Sequence, residues 1–294
     1  MQNSYTYHLI LSVKHIQIYD LLSKIQLFPY ELFSWYPQVK VANIIKNRGS
    51  SIVNIMFLGT RGGIKARSQR HHRHTSTLIL YRGKNVMIDC GLDWLGQIFR
   101  LNPEAIIITH AHPDHVNGLK NGTPCPVYAT QESWDIMRNF DIHESQKNII
   151  TIGKPILINK ILFEAFELEH SLIAPAVGYK ITAGKSTIFY ASDLVAIQHK
   201  AQALEDCKLY IGDGAIIARS LLVRTRDHTH IGHTSIKEQL AWCKQAEVPR
   251  AIFTHCGTEI VTESHDVIEK KITHLGHENG VQARIAFDGY ILQV

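Results

Sequence analysis

The sequence contains no C-x-x-C pair. Its five cysteines, Cys90, Cys125, Cys207, Cys243 and Cys256, stand singly and are odd in number, a pattern that fits reduced thiols in a cytoplasmic protein better than a disulfide framework. No apolar run approaches the length of a membrane span, so no membrane is expected as a partner. No Lys or Arg precedes Lys14, and "HLILSV" is not followed by a small-residue cleavage site, so no secretory signal is expected. Internal repeats and low-complexity tracts are also missing. A formal charge of +5 mildly favours anionic partners and by itself separates no class of function.

What the chain has in excess is histidine. Eighteen occur in 294 residues, clustered at 71–74, 110–115 and 228–233, and imidazole is the commonest side-chain metal ligand. With 45% hydrophobic residues the chain is long enough for one large domain or two small ones around a substantial core. Residues 1–50 differ from the rest: apolar positions at mixed spacings, then "PYELFSWYP" and a polar "NIIKNRGSS". They are expected to form an appendage, ending at a linker near Arg48–Ser51, that serves packing or dimerisation, a homodimer included.

From Asn54 the pattern becomes regular. "NIMFLGT", "TSTLILYRG" and "KNVMIDCG" have the β-branched, Gly-bounded character of strands, and "EAIIIT" (104–109) is a continuous apolar run of the kind covered on both faces. Further strands are expected at "VYAT", "IITI", "KILFEAFELEH", "VGYKIT", "STIFYASD", "KLYIGDG" and "RAIFTH". Helices are expected at "WLGQIF", "QESWDIMRNF", "TSIKEQLAWCKQA" (capped by Thr234 or Ser235) and "VTESHDVIEKKITHLG", and a closing hairpin at "ARIAFDGYILQV". Such a mixture predicts a layered α/β domain over residues 51–294.

The stretch "THAHPDHVNG" (109–118) packs three histidines and an aspartate into the six positions from His110 to His115. Residues i and i+2 of an extended segment point the same way, so His110 and His112 can share one metal. Asp114 and His115, where the chain turns, face differently and can hold a second. Three more candidate ligands end predicted strands: His170, Asp193 and His255. A further histidine and a bridging carboxylate would complete two sites about 3.5–4 Å apart, the spacing of two-metal hydrolases.

With that His-x-His-x-Asp-His cluster following an apolar strand, the chain from about Asn54 to its C-terminus resembles the metallo-β-lactamase superfamily. The resemblance implies an αββα four-layer sandwich with a dinuclear site at one edge. It implies that His110, His112 and His170 bind one divalent ion, Asp114, His115 and His255 the other, and that Asp193 bridges them. "VMIDCG" is similar to the superfamily's early Asp motif, which makes Asp89 the residue that orients a ligand histidine. "GHTS" (232–235), with His233 lying 22 residues before His255, and the closing "AFDGY" resemble the tRNase Z group and the phosphoribosyl cyclic phosphodiesterases. There the corresponding histidine assists at the scissile phosphate and a strand carboxylate holds it, which implies His233 with Asp213; His230 and His228 compete for the role. The chain lacks the Gly/Pro-rich arm with which tRNA 3′-processing enzymes grip the tRNA elbow, so a small cyclic or linear phosphodiester, or another nucleic acid, is the expected substrate.

The basic loop "RGGIKARSQRHHRH" supplies Arg61, Lys65, Arg67, Arg70 and Arg73, either as phosphate-positioning groups or as a solvated surface. Gly62 and Gly63 allow close backbone approach. A second basic segment carries Arg219, Arg224 and Arg226, where a substrate-covering flap would sit. Cys256 has no activating neighbour and is expected to be a small buried thiol. The expectation is a metal-dependent phosphodiesterase or nuclease in which two ions, zinc with manganese as the alternative, activate a hydroxide for attack on phosphorus. A carbonyl ester, thioester or lactam hydrolase, a flavin-linked di-iron oxidoreductase and a non-catalytic binding protein are the rival readings.

Overall fold

The computed structural model describes residues 51–219, 224–226 and 229–294. The expected appendage over residues 1–50, and His228, lie outside the described residues. Strands β1 (Asn54–Gly59), β2 (Ser76–Tyr81), β3 (Lys84–Ile88), β4 (Ile106–Ile107), β5 (Val127–Ala129) and β6 (Lys147–Ile149) build one sheet. A second sheet takes β7 (Ile156–Ile158), β8 (Ile161–Glu169), β9 (Ala176–Ala183), β10 (Ser186–Tyr190), β11 (Ala196–Ile197) and β12 (Leu209–Asp213). Strands β13 (Arg224–Arg226) and β14 (Thr229–Ile231) pair with each other, β15 (Arg250–Thr254) and β16 (Gln282–Ile285) extend the second sheet, and β17 (Ile291–Gln293) returns to the first. The orders are β17-β1-β2-β3-β4-β5-β6 and β11-β8-β9-β10-β12-β15-β16, with β7 on β8.

Local chemistry explains the tight turns. Between β2 and β3 only Arg82 and Gly83 intervene, at φ 48° and 72°, and between β7 and β8 only Asn159 and Lys160, at φ 50° and 69°. Two consecutive left-handed residues make the turn whose twist matches that of the strands it joins. Strands β3 to β6 run parallel, as do β10, β12, β15 and β16. Parallel strands need cover on both faces, which is why β4 lies in an unbroken apolar run and is buried throughout, whereas β6 and β16, at the ends of their sheets, are only partly buried.

The faces of the two sheets share one core: Ile55, Phe57, Ile79 and Ile88 from the first meet Phe163, Tyr179, Ile188, Tyr190 and Ile211 from the second. Helices α1 (Ile98–Leu101), α2 (Pro113–Val116) and α3 (Gln131–Ile136) connect strands of the first sheet, and α4 (Lys200–Leu204), α5 (Ile236–Gln245), α6 (Thr258–Thr262) and α7 (His265–Asn279) those of the second. The outer face of the second sheet, with Phe166, Phe189, Tyr210 and Phe253, packs on Leu240 and Cys243 of α5 and Ile268 and Ile272 of α7. The result is an αββα sandwich. No helix among the described residues is long and apolar enough to cross a membrane.

Three local expectations are corrected. The helix expected over 261–276 is two helices, because the backbone turns extended at Glu263 and Ser264 (ψ 160° and 140°) and helicity restarts behind Ser264. The helix from Gln131 stops at Ile136. The closing segment is no hairpin: β16 lies parallel to β15 in one sheet and β17 antiparallel to β1 in the other. What carries the chain across is Asp288, whose carboxylate accepts hydrogen bonds from Thr60 N, Thr60 Oγ1, His72 N and Arg73 N.

Phe163, fully buried between the sheets, measures how far the shared core sets stability. Phe163→Ala is expected to lower the unfolding free energy by roughly 3–5 kcal/mol in a denaturant titration; a loss below about 1 kcal/mol would show that the sheets do not depend on this contact.

Candidate metal centre

Strand direction decides where the polar residues gather. In open sheets, ligands bind beyond the carboxyl ends of the strands, and those ends lead here to one edge of the sandwich. β4 leads to His110, β8 to His170, β10 to Asp193, β12 ends on Asp213 and β15 leads to His255. After β4 the backbone at His112 is extended (ψ 150°), and Pro113 opens α2 at the position where its missing N–H costs nothing. This turn sends Asp114 and His115 in a different direction from His110 and His112.

Two groups of side chains result. His110, His112, His170 and Asp193 bring ligand atoms within 4.8 Å of one another, as do Asp114, His115 and His255. In the first, His112 Nδ1 lies 2.9 Å from His110 Nε2 and 3.2 Å from His170 Nε2. In the second, Asp114 Oδ2 lies 3.2 Å from His255 Nε2 and 3.5 Å from His115 Nε2. Asp193 touches both: Oδ2 is 3.6 Å from His170 Nε2 and 3.1 Å from His255 Nε2, and Oδ1 is 3.3 Å from His115 Nε2.

The donor chemistry fits divalent cations. Three imidazole nitrogens converge in the first group, and a single imidazole N–H cannot satisfy them all. His115 Nε2, Asp193 Oδ1 and His255 Nδ1 are buried with no hydrogen-bond partner, and buried polar atoms seldom stay so. Imidazole and carboxylate together suit a borderline cation. The charges are also strongly interdependent. Burial disfavours a charge on His255, but Asp193, Asp114 and Asp213 outweigh it and push its pKa up to about 10. Burial opposes ionisation of Asp114 too, yet His115 and His255 hold its carboxyl well below the usual range. Both His255 and Asp89 adopt left-handed backbone, at φ 53° and 60°, a strained state for such residues that tends to cluster at functional sites.

A second layer fixes these rings. Asp89 Oδ2 is 2.8 Å from His115 Nδ1, and the same carboxylate accepts from Thr109 N and Thr109 Oγ1. Thr109 Oγ1 in turn lies 3.1 Å from His110 Nδ1, a supporting role that sequence reasoning missed although Thr109 adjoins the motif. His170 Nδ1 pairs with the Gly232 carbonyl at 2.9 Å, a main-chain contact that no sequence pattern announces. His233 Nδ1 lies 2.6 Å from Asp213 Oδ2. Its ring is 5.0 Å from that of His170 and 5.3 Å from that of His255. Burial works against a charge on His233, but Asp213 prevails and raises its pKa. His233 also falls within ligand range of Asp193 and His255, although Asp213 occupies its Nδ1. His230 is placed otherwise, 3.0 Å from Glu169 and half exposed.

The loop over 61–74 presses its glycines onto the cluster. A Cβ on Gly62 would fall 2.9 Å from His255 Cε1, and one on Gly63 3.1 Å from Asp114 Oδ2. The basic residues around them divide. Arg61 is corrected: it is 1% exposed, with its guanidinium held by Asp93 at 2.8 Å, by the His72 carbonyl at 3.1 Å and by the Ile64 carbonyl, so it secures the loop and offers nothing to a phosphate. Arg73 lies over Trp94 and Arg70 over Phe287, 4.7 and 4.9 Å from the ring centroids. Arg67 pairs with the other oxygen of Asp93 at 3.2 Å, while Lys65 and Arg224 are exposed. Asp93, which ties Arg61, Arg67 and His74 together, was not singled out from sequence; a lone acid facing a run of bases was its only signal. Cys256 is fully buried, and burial pushes its thiol well up.

The family model described as beta-lactamase superfamily domain matches residues 84–256. The exodeoxyribonuclease WalJ of Streptococcus pneumoniae serotype 2 (strain D39 / NCTC 7466) is 31% identical over 134 residues, 38% of this chain and 49% of that protein. This chain spans about half the length of that curated relative. Among solved structures, the metallo-beta-lactamase fold protein YhfI from Bacillus subtilis aligns at TM-score 0.66 and 17% identity over 83% of this chain and 100% of its own. A diphosphatase from the PhnP family aligns at TM-score 0.61 and 17% identity over 83% and 97%. At such identities the structural likeness speaks for the fold alone.

His71 couples this loop to pH. It is 3% exposed, its Nδ1 lies 2.9 Å from Thr60 Oγ1, and burial, aided by His265 and Arg70, lowers its pKa from 6.5 to about 4. A histidine held neutral in the fold supports stability above its unfolded pKa and loses that support as pH falls. Relative to His71→Gln, the protein is therefore expected to lose on the order of 3 kcal/mol between pH 6.5 and about 4. A difference in unfolding free energy that stays flat over that window would contradict the assignment.

Proposed function

The chain belongs to the beta-lactamase superfamily, and we propose that residues 51–294 form a metal-dependent hydrolase that cleaves a phosphodiester, either a small cyclic or linear one or a nucleic acid. The observation that carries the reading is the His233–Asp213 pair, 2.6 Å apart, standing beside the metal cluster without being needed to complete either group. The thiolate of a thioester departs without a proton, whereas an alkoxide departing from phosphorus needs the donor that such a pair supplies. The relative named as an exodeoxyribonuclease supports the same choice.

His110, His112 and His170 would hold one ion and Asp114, His115 and His255 the other, with Asp193 shared. Two bound divalent ions, zinc by the donor set with manganese as the alternative, lower the pKa of water and neutralise charge on phosphoryl oxygens. Asp89 holds the His115 ring at Nδ1 and so leaves Nε2 to the ligand group. Asp213 occupies Nδ1 of His233 in the same way, which leaves Nε2 to carry a proton to the leaving oxygen. Asp213 is itself fixed, accepting from Leu194 N at 3.1 Å and Ala215 N at 2.8 Å. Lys65, Arg67 and Arg224 supply positive charge that would draw an anionic substrate, with an affinity that weakens as salt rises.

Metal analysis and hydrolysis of bis-p-nitrophenyl phosphate beside a p-nitrophenyl thioester test this directly. The expected result is two metal ions per chain and turnover of the diester. Asp193→Ala should lose metal and activity together, and His233→Ala should keep metal while kcat on phenyl methyl phosphate, whose leaving oxygen needs a proton, falls about 10²–10⁴-fold. Turnover of the thioester alone would replace the proposal with the carbonyl reading. Metal-loaded protein inactive on every diester would favour a binding role.

A further inference from the structure

Gln239 is a polar side chain with no exposure at all. It projects from α5 onto the end of β12, and every polar atom it has is used. Its Oε1 accepts from the main-chain N–H of Asp213 at 2.9 Å and from the Tyr210 hydroxyl at 3.0 Å. Its Nε2 donates to the main-chain carbonyl of Asp213 at 2.8 Å and to the Ser235 carbonyl at 3.4 Å. One amide thus takes both main-chain groups of Asp213 as a neighbouring strand would, and also holds the residue two places after His233. The space is reserved for it: a Cβ on Gly212 would lie 2.3 Å from Gln239 Oε1.

We propose that Gln239 is a positioning residue that fixes the His233–Asp213 pair from behind, setting both sides of the hydrogen bond that orients the His233 ring for proton donation from Nε2. An apolar side chain could fill the same volume and pack with Leu240 and Cys243. It would leave the Asp213 N–H and C=O unpaired in the interior, and the strand end would move to find partners. At proton-donor distances a small misplacement is costly, so the effect should appear in leaving-group protonation before it appears in metal binding. The inference rests on His233 being the proton donor.

The test uses the full chain loaded with zinc and a series of aryl methyl phosphates, from p-nitrophenyl, which leaves without a proton, to phenyl, which needs one. For Gln239→Met the slope of log kcat/KM against leaving-group pKa should steepen, with the phenyl ester losing roughly tenfold more than the p-nitrophenyl ester at unchanged metal content. Gln239→Asn, shorter by one methylene, serves as the milder variant if Gln239→Met does not fold, and should steepen the slope in the same sense. Tyr210→Phe removes one bond to Gln239 without touching Asp213, and should leave the slope alone. Equal losses across the series in both Gln239 variants, while His233→Ala steepens it, would overturn the inference and spare the proposed function. A steepened slope in Tyr210→Phe would also overturn it, since general loosening would then suffice. If the unmodified protein cleaves no member, or His233→Ala leaves the slope unchanged, the underlying reading fails and this inference falls with it.

Discussion

Asp193 is the carboxylate on which the site depends. Its two oxygens lie within 3.1 to 3.6 Å of His255, His115 and His170, and it is 3% exposed. Burying such a charge is expensive unless positive partners compensate it. Burial acts to raise its pKa, but His255 and His115 reverse the effect and hold it well below the usual carboxylate range. Without a positive centre, five imidazoles and two carboxylates would converge at this edge with buried atoms left unpaired. That arrangement makes sense for a fold that receives cations.

The rest of the molecule can be understood as support for that convergence. Two sheets share one core, so the ends of β4, β8, β10, β12 and β15 are fixed relative to one another by packing that lies well away from the polar edge. The 61–74 loop closes over the cluster only because Gly62 and Gly63 present no Cβ to His255 and Asp114. Its own anchors are two acids from other parts of the chain. Asp93 gathers Arg61, Arg67 and His74, and Asp288 ties the loop to the segment between β16 and β17.

Much of this was legible in the sequence where the signal is local. The apolar runs ending in His, Asp or Gly located the strands, and the i, i+2 spacing of His110 and His112 anticipated that they would face one point. His170, Asp193 and His255 were visible because each ends a strand, and the structure brings all three to the cluster. What stayed illegible depends on contacts distant in sequence. The basic loop looked like a phosphate grip, yet Arg61 points inward because Asp93, 32 residues later, offers it a partner. The closing segment looked like a hairpin because its two strands are adjacent in sequence, but each has a better partner in a different sheet. Gln239 gave no signal: in sequence it is one polar residue on an amphipathic helix, and only burial against the Asp213 backbone reveals its use.

A zinc-edge anomalous difference map from crystals grown with the metal bears most directly on the central claim. The expected result is a pair of peaks, one among His110, His112 and His170 and one among Asp114, His115 and His255, with Asp193 extending a carboxylate oxygen to each. A map with no peak at this edge of the sandwich, or with His170 or His255 turned away from the density, would contradict it.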